Sequence, residues 1–217
     1  MKGLSQGFAA LFAALFAFAV QAQSQDMKPD ELVKKVTEDV LASVKGDKQL
    51  AAGDKEKALK LAEEKVLPLI DFQEATRLAV ARAWSQASKE QQEKLVAEFR
   101  RMLVRTYSNA ISRYEGQTMK VLPSRYKPED TDVTVRNQYI RPGQKAVQLD
   151  YSMHKTPEGW KIYDIVVEGV SLVLTYRSEF DAIVKQQGID GLAKRLAEKN
   201  TPAPVGGASS GATKSAN

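Results

Sequence analysis

Residues Val147–Val167 read VQLDYSMHKTPEGWKIYDIVV, and the fold is decided here. Val147, Leu149, Tyr151 and Met153 alternate with Gln148, Asp150 and Ser152. That period of two is the mark of a half-buried strand. Pro157-Glu158-Gly159 makes a turn, and Trp160 to Val167 follows as a strand that is largely apolar on both faces, interrupted within its apolar run by Asp164. Strands joined by so short a turn pair antiparallel. Working toward the N-terminus, Arg141-Pro142-Gly143-Gln144 is another turn. It is preceded by a strand carrying Val133, Val135, Asn137 and Tyr139, and before that by one carrying Met119 and Val121. The expectation is a four-stranded antiparallel meander.

Outside this region the period becomes helical. Pro29 suits a first helical turn, where its missing N–H costs nothing. Leu32, Val36, Val40 and Val44 then recur every fourth residue up to Gly46-Asp47, one apolar helix face. A second helix is expected near Asp54–Val66, ended by Pro68 in the apolar link Leu67-Pro68-Leu69-Ile70. Asp71, with Glu74 as return partner, predicts a capping box for a third helix running through Trp84. Ser88 and Gln91 predict another, opening a long helix from Lys89 to Tyr114 with Leu95, Phe99, Met102, Leu103, Thr106, Ala110 and Ile111 inward. Helical periodicity returns over Val170–Gln187 and Ile189–Glu198. Helices, then strands, then helices make an α+β protein, a twisted four-stranded antiparallel sheet with surrounding helices.

The ends speak to location. Lys2 precedes an uncharged run, Phe8–Val20, and Val20-Gln21-Ala22 offers small residues for cleavage. This is the pattern of a secretory signal peptide over residues 1–22, and the run is shorter than the roughly 20 apolar residues of a spanning helix. Thr201–Asn217 is Pro, Gly, Ala and Ser with one Lys, a composition that predicts a disordered tail. Residues 23–200 remain as one domain, expected to be soluble. The chain has no Cys, which removes thiol chemistry, thiolate metal sites and a lipid-anchored N-terminal cysteine. Its net charge of +5 comes without any block of consecutive Lys or Arg, so nucleic acid is not an expected partner.

The inventory of reactive groups is short. His154 is the single histidine, at the end of a strand, with Asp150 on the same side. As a base it would need a nucleophile, and no G-x-S-x-G turn is present; it reads as an exposed strand-end residue. Asp164 interrupts an apolar strand and must be hydrogen-bonded, paired or neutral if buried. It reads as a structural anchor or, alternatively, as the base of a small-pocket α+β enzyme or small-molecule binder. A purely structural adaptor is a third reading. No phosphate-binding glycine loop occurs, and no catalytic residue, cofactor or metal is expected.

The string GWKIYDIVVEGVSLVL over Gly159–Leu174, followed by Tyr176-Arg177-Ser178-Glu179-Phe180 and Gly188-Ile189-Asp190-Gly191-Leu192, resembles the MlaC family. These are periplasmic phospholipid-binding proteins, also called the toluene-tolerance family. Leu67-Pro68-Leu69-Ile70-Asp71-Phe72, Arg82-Ala83-Trp84 and the long helix from Gln91 to Tyr114 resemble the same family, so the likeness spans most of Pro29–Glu198. Ala81 stands where the family pattern has Gly, a change expected to bear on a helix contact, and Thr175 stands where it has Asn.

The resemblance implies a sheet and helices enclosing an apolar lipid pocket. It also implies a soluble periplasmic carrier that shuttles phospholipid between an outer-membrane lipoprotein–porin complex and an inner-membrane ABC transporter with its substrate-domain subunit, maintaining outer-membrane lipid asymmetry. Each methylene sheltered from water gains about 0.8 kcal/mol, so two chains of about sixteen carbons gain on the order of 20 kcal/mol. A free lipid therefore almost never leaves a bilayer unaided. The expected lipid-binding residues are Phe99, Leu103 and Tyr107 on the long helix, Val147, Leu149 and Tyr151 on the third strand, Ile162 or Ile165 and Val166 or Val167 on the fourth, and Val170 and Leu172 after it. The fourth strand's register is open, and each of these residues is equally well plain core.

Overall fold

The structure, a computed structural model, describes residues 27–111 and 116–201, without the side chains of 108–111. The expected signal peptide, the tail beyond Thr201, Tyr114 and the side chains of Ala110 and Ile111 lie outside the described residues.

Helix α1 spans Pro29–Gly46, the one-turn α2 Lys48–Ala51 and α3 Lys55–Lys65. The Asp47 and Asp54 carboxylates cap α2 and α3 by accepting from backbone N–H groups. A 3-10 turn, Leu67–Leu69, leads to α4, Phe72–Val80. Asp71 caps α4 through the Glu74 N–H at 2.8 Å. The predicted return bond is replaced: the Asp71 N–H donates to the Ile162 carbonyl at 2.8 Å, and the Glu74 carboxylate is taken by Arg77. The expected helix through Trp84 ends early, because Ala81 takes φ 55° and ψ −122° and Ala81–Gln86 continues as a 3-10 helix. The Ser88–Gln91 box is made in both directions, at 3.2 and 3.0 Å, and opens α5, Lys89–Ile111.

The sheet has six strands rather than four: β1 Thr118–Val121, β2 Asp132–Val135, β3 Asn137–Ile140, β4 Val147–Thr156, β5 Gly159–Val167 and β6 Val170–Ser171. The order is β1-β3-β4-β5-β6, with β2 also on β4, and every pairing is antiparallel. Two local events account for the added strands. The predicted second strand is divided at Arg136, where the Asn137 N–H turns to the Asp150 carboxylate at 3.3 Å. The two-residue β6 is too short to leave a periodic trace. Helices α6, Leu172–Thr175, and α7, Arg177–Asn200, complete the chain. The break expected between Gln187 and Ile189 is a kink inside α7 at Gly188, φ 71° and ψ −176°, a region open essentially to Gly alone.

Two main cores form, as the binary pattern requires. Phe99 of α5 meets Phe180 and Tyr176 edge-on, each at 5.2 Å, and joins Leu95, Leu192 and Leu196 in an all-helical core. Leu32 and Val33 of α1 pack on Val133, Val135, Met153 and Ile162 of the sheet. A smaller cluster, Val44, Leu50, Ala58 and Leu61, holds the far end of α1 against α2 and α3.

Candidate functional site

Under the middle of α1, between the clusters that hold its two ends, lies a half-open cavity of about 210 Å³. The helix supplies Leu32, Val36 and Val40 from its every-fourth-residue stripe, together with Val33, Thr37 and Leu41. The link supplies Val66, Leu69 and Ile70. Ile70 reaches the site because it forms a parallel bridge to Ile162, so the link covers part of the β5 edge. The floor is the sheet face bearing Met119, Tyr139, Tyr151, Met153, Ile162 and Ile165.

Register explains that floor. Tyr151 faces Ile165 and Met153 faces Ile162. One step on β4 from Ser152 to Met153 matches two on β5, so Tyr163 is an extra residue. A bulge of this kind reverses the facing of everything beyond it, and both isoleucines reach the cavity.

The wall is apolar but for a few groups. The Tyr151 hydroxyl donates to the Met119 sulfur at 3.6 Å and the Thr37 hydroxyl to the same sulfur at 3.7 Å. Sulfur is a weak acceptor. Both hydroxyls therefore point into the site without a strong partner in these bonds. Burial pushes the Tyr151 phenol up to about 12. At the N-terminus of α1, the Tyr126 hydroxyl donates to Asp30 at 2.6 Å, and burial together with that carboxylate raises its ionisation well above the usual phenol range.

Of the residues expected at a lipid site, the structure brings Tyr151, Ile162 and Ile165 together on this wall. Leu149 and Val167 face each other on the same side of the sheet, and Val147 pairs with the floor residue Tyr139, but none of these three lines the cavity itself. Val166 is opposite Asp150, on the reverse face. Phe99 and Leu103 belong to the helical core instead. Tyr107 is 38 % exposed and Val170 56 %, while Leu172 opens α6 half-buried. Sequence reading missed the largest contributor, α1. Its stripe was visible, but a stripe does not say whether it meets a core or a void.

The two groups that suggested chemistry are engaged structurally. The Asp164 carboxylate accepts from the Ser171 hydroxyl and from the Val173 N–H, the latter at 3.1 Å, which ties β5 to the start of α6. The expected exposed His154 is half-buried, its Nε2 lying 2.9 Å from Asp71 and its ring edge-on to Tyr163. Asp150, expected beside it, instead accepts from Asn137 N–H and Gln148. Among the described residues no His, Asp and Glu side chains group to hold a metal, and no helix is long and apolar enough to cross a membrane.

A family model described as MlaC protein matches residues 34–198. The intermembrane phospholipid transport system binding protein MlaC of Haemophilus influenzae is 21% identical over 197 residues, covering 89% of this chain and 92% of that protein. The toluene tolerance protein ttg2D of Pseudomonas putida is 24% identical over 203 residues, covering 90% and 92%. A phospholipid-binding protein from Ralstonia solanacearum, solved in complex with a phospholipid, superimposes with a TM-score of 0.73 at 38% identity, over 80% of this chain and 97% of that one.

Proposed function

This chain belongs to the MlaC family, and from that premise we propose that it is a periplasmic phospholipid carrier whose apolar cavity between α1 and the sheet shelters acyl chain. The observation that carries the proposal is that cavity: carbon-walled, open on one side, and built by a chain 38% identical to a protein solved with a phospholipid. The neighbouring hydroxyls of Tyr151 and Thr37 are suited to the lipid's ester or phosphate oxygens.

Size sets a condition on the mechanism. An apolar cavity of about 150 Å³ takes a molecule the size of benzene, so 210 Å³ takes only part of one long chain. Seating whole acyl chains requires the cavity to widen. Helix α1 is the element to move, because its hold on the sheet side is the Tyr126–Asp30 bond, the Thr37–Met119 contact and apolar packing. Such packing can be exchanged for packing against lipid with little net change. That near-balance makes loading and release reversible, and a partner favouring one state sets the direction. Exchange would occur with an outer-membrane lipoprotein–porin complex and an inner-membrane ABC transporter. No covalent chemistry is needed, and we read the chain as a non-enzyme; its relatives are named for binding and transport.

The test is mass spectrometry of organic extracts from protein purified from the envelope fraction. Phospholipid at near-stoichiometric level is expected. Its repeated absence would overturn the proposal.

A further inference from the structure

One sulfur joins α1 to the sheet across the cavity. Met119 stands on β1, the outer strand, opposite Tyr139, and lines the cavity floor. Two hydroxyls converge on its Sδ, Thr37 from the middle of α1 at 3.7 Å and Tyr151 from β4 at 3.6 Å. The contact falls on the stretch of α1 that lies between its two anchoring clusters. A thioether holds such donors weakly. A sulfoxide is polar, and its oxygen accepts hydrogen bonds as a carbonyl does.

A peroxide makes that change. A sulfur lone pair attacks one oxygen of hydrogen peroxide, an S–O bond forms and the O–O bond breaks. The proton of the transferred hydroxyl passes to the departing hydroxide, which leaves as water. Sulfur gives up two electrons and the peroxide takes them.

Position singles out Met119 among the methionines. The chain has five, at 1, 27, 102, 119 and 153. Met153 is 0 % exposed and Met102 6 %, each inside a core. Met1 lies in the expected signal peptide. Met27 is half-buried just before α1, and the two donors are directed at Met119 rather than at it. Met119 is half-buried on the wall of a half-open cavity, where a small oxidant has access and the product oxygen has donors.

We propose that Met119 is a peroxide-sensitive modification site, and that its sulfoxide, accepting from Thr37 and Tyr151, pins the middle of α1 to the sheet and closes the cavity to acyl chain. The modification and the pinning stand on the geometry; the closure rests on the carrier reading. Two effects act in one direction. New hydrogen bonds hold the helix that must move for lipid to enter, and a polar oxygen is added to a wall that is mostly apolar.

The purified protein is titrated with hydrogen peroxide, and peptide mass spectrometry follows each methionine. Met119 should oxidise about tenfold faster than Met102 and Met153, since susceptibility follows exposure. Hydrogen exchange of the amides in 33–41 should then slow several-fold. Thr37→Val keeps the side chain's shape and removes the donor on α1; it should still be oxidised at Met119 but show no slowing. Tyr151→Phe removes the sheet's donor and tests the same point independently. Uptake of a fluorescent phospholipid from donor vesicles should fall several-fold on oxidation of the wild type. In Met119→Leu, treated and untreated samples should take up lipid alike, which separates this sulfur from general peroxide damage. Circular dichroism checks that each variant is folded.

Oxidation of Met119 no faster than that of the core methionines would overturn the site. Exchange in α1 that is unchanged on oxidation, or slowed equally in Thr37→Val and Tyr151→Phe, removes the pinning. Unchanged uptake by the oxidised wild type removes the closure. Lipid extraction is read separately: slowed exchange in a protein that never carries lipid sinks the carrier and leaves the modification, while lipid carried by a protein whose Met119 resists peroxide does the reverse.

Discussion

Ile162 and Ile165 face one cavity although they stand three positions apart along β5, because Tyr163 bulges from the ladder between Met153 and Ser152. In a regular strand their side chains would lie on opposite faces. The Tyr163 hydroxyl is turned to the Asp132 carboxylate at 3.0 Å, and the His154 ring packs against it, so the bulged residue is anchored outside the site. The consequence is a continuous apolar floor where an alternating strand would have left half of one.

That floor is where lipid retention should be sensitive. Ile165→Trp fills the cavity without burying a charge and is expected to cut co-purifying phospholipid several-fold. Phe99→Ala, in the helical core, should instead cost about 3–5 kcal/mol of stability and leave lipid per folded molecule unchanged. Extraction and urea denaturation measured on both variants separate wall from core. Equal lipid loss in the two would remove the cavity as the site.

Retention and exchange should separate at Tyr126. Its bond to Asp30 ties the start of α1, and a hydrogen bond to a charged group is worth about 1.5–3 kcal/mol. If α1 must move for lipid to pass, Tyr126→Phe speeds transfer to acceptor vesicles about tenfold. A rate equal to wild type would assign the motion to another element.

Backbone strain gives a pair of opposite expectations. Ala81 holds φ 55° and ψ −122°, costly for any residue with a Cβ, so Ala81→Gly should stabilise by about 1 kcal/mol. Gly188 holds φ 71° with open space around it, so Gly188→Ala has no clash to relieve and should cost about 1–3 kcal/mol from conformation alone. Chemical denaturation reads both signs.

Alkaline pH should loosen the fold through Tyr151. Its folded phenol ionises at about 12 against an ordinary 10.0. Below pH 10 both folded and unfolded forms keep the proton, and this contribution is whole. Between 10 and 12 the unfolded chain loses its proton first, and stability falls by about 2–3 kcal/mol through that window. Tyr163, raised likewise to about 12, acts in the same range. Tyr151→Phe should flatten the wild-type pH slope there. An unchanged slope, or a tyrosinate absorbance titration placing Tyr151 at its ordinary value, would contradict the burial assigned to it.

Asp164 distinguishes anchor from base. Asp164→Ala strands the Ser171 hydroxyl and the Val173 N–H, at a cost of about 1–3 kcal/mol. Asp164→Asn, which keeps one acceptor, should recover part of that. Neither should change lipid content of the folded protein. Lipid loss from a fully stable Asp164→Asn would give the carboxylate a direct role.

Much of the fold was legible because it is local. The every-fourth stripe on α1, the Ser88–Gln91 box, the alternation along β4 and the break at Gly188 are properties of short segments, and each appears as read. Ala81 is instructive in a different way. A missing glycine was noticed and attributed to a helix contact, but the position demands a backbone angle, and angles leave no trace in composition. Asp71 likewise carried a capping signal, yet its own N–H was claimed by Ile162, a partner 91 positions away that outcompeted the neighbouring Glu74.

Taken alone, the amino-acid order determined the α+β class, the placement of most helices and strands, and a family-specific string in Gly159–Leu192. Period and turn chemistry are written in consecutive residues. Tertiary structure decided which apolar residues wall a void and which fill a core. Phe99 and Ile165 are equally greasy in the sequence; they part company only because α1 stands off the sheet between its two anchoring clusters, while α5 packs without a gap against α4 and α7. A void is defined by what several distant segments fail to fill, and no single stretch of chain encodes that.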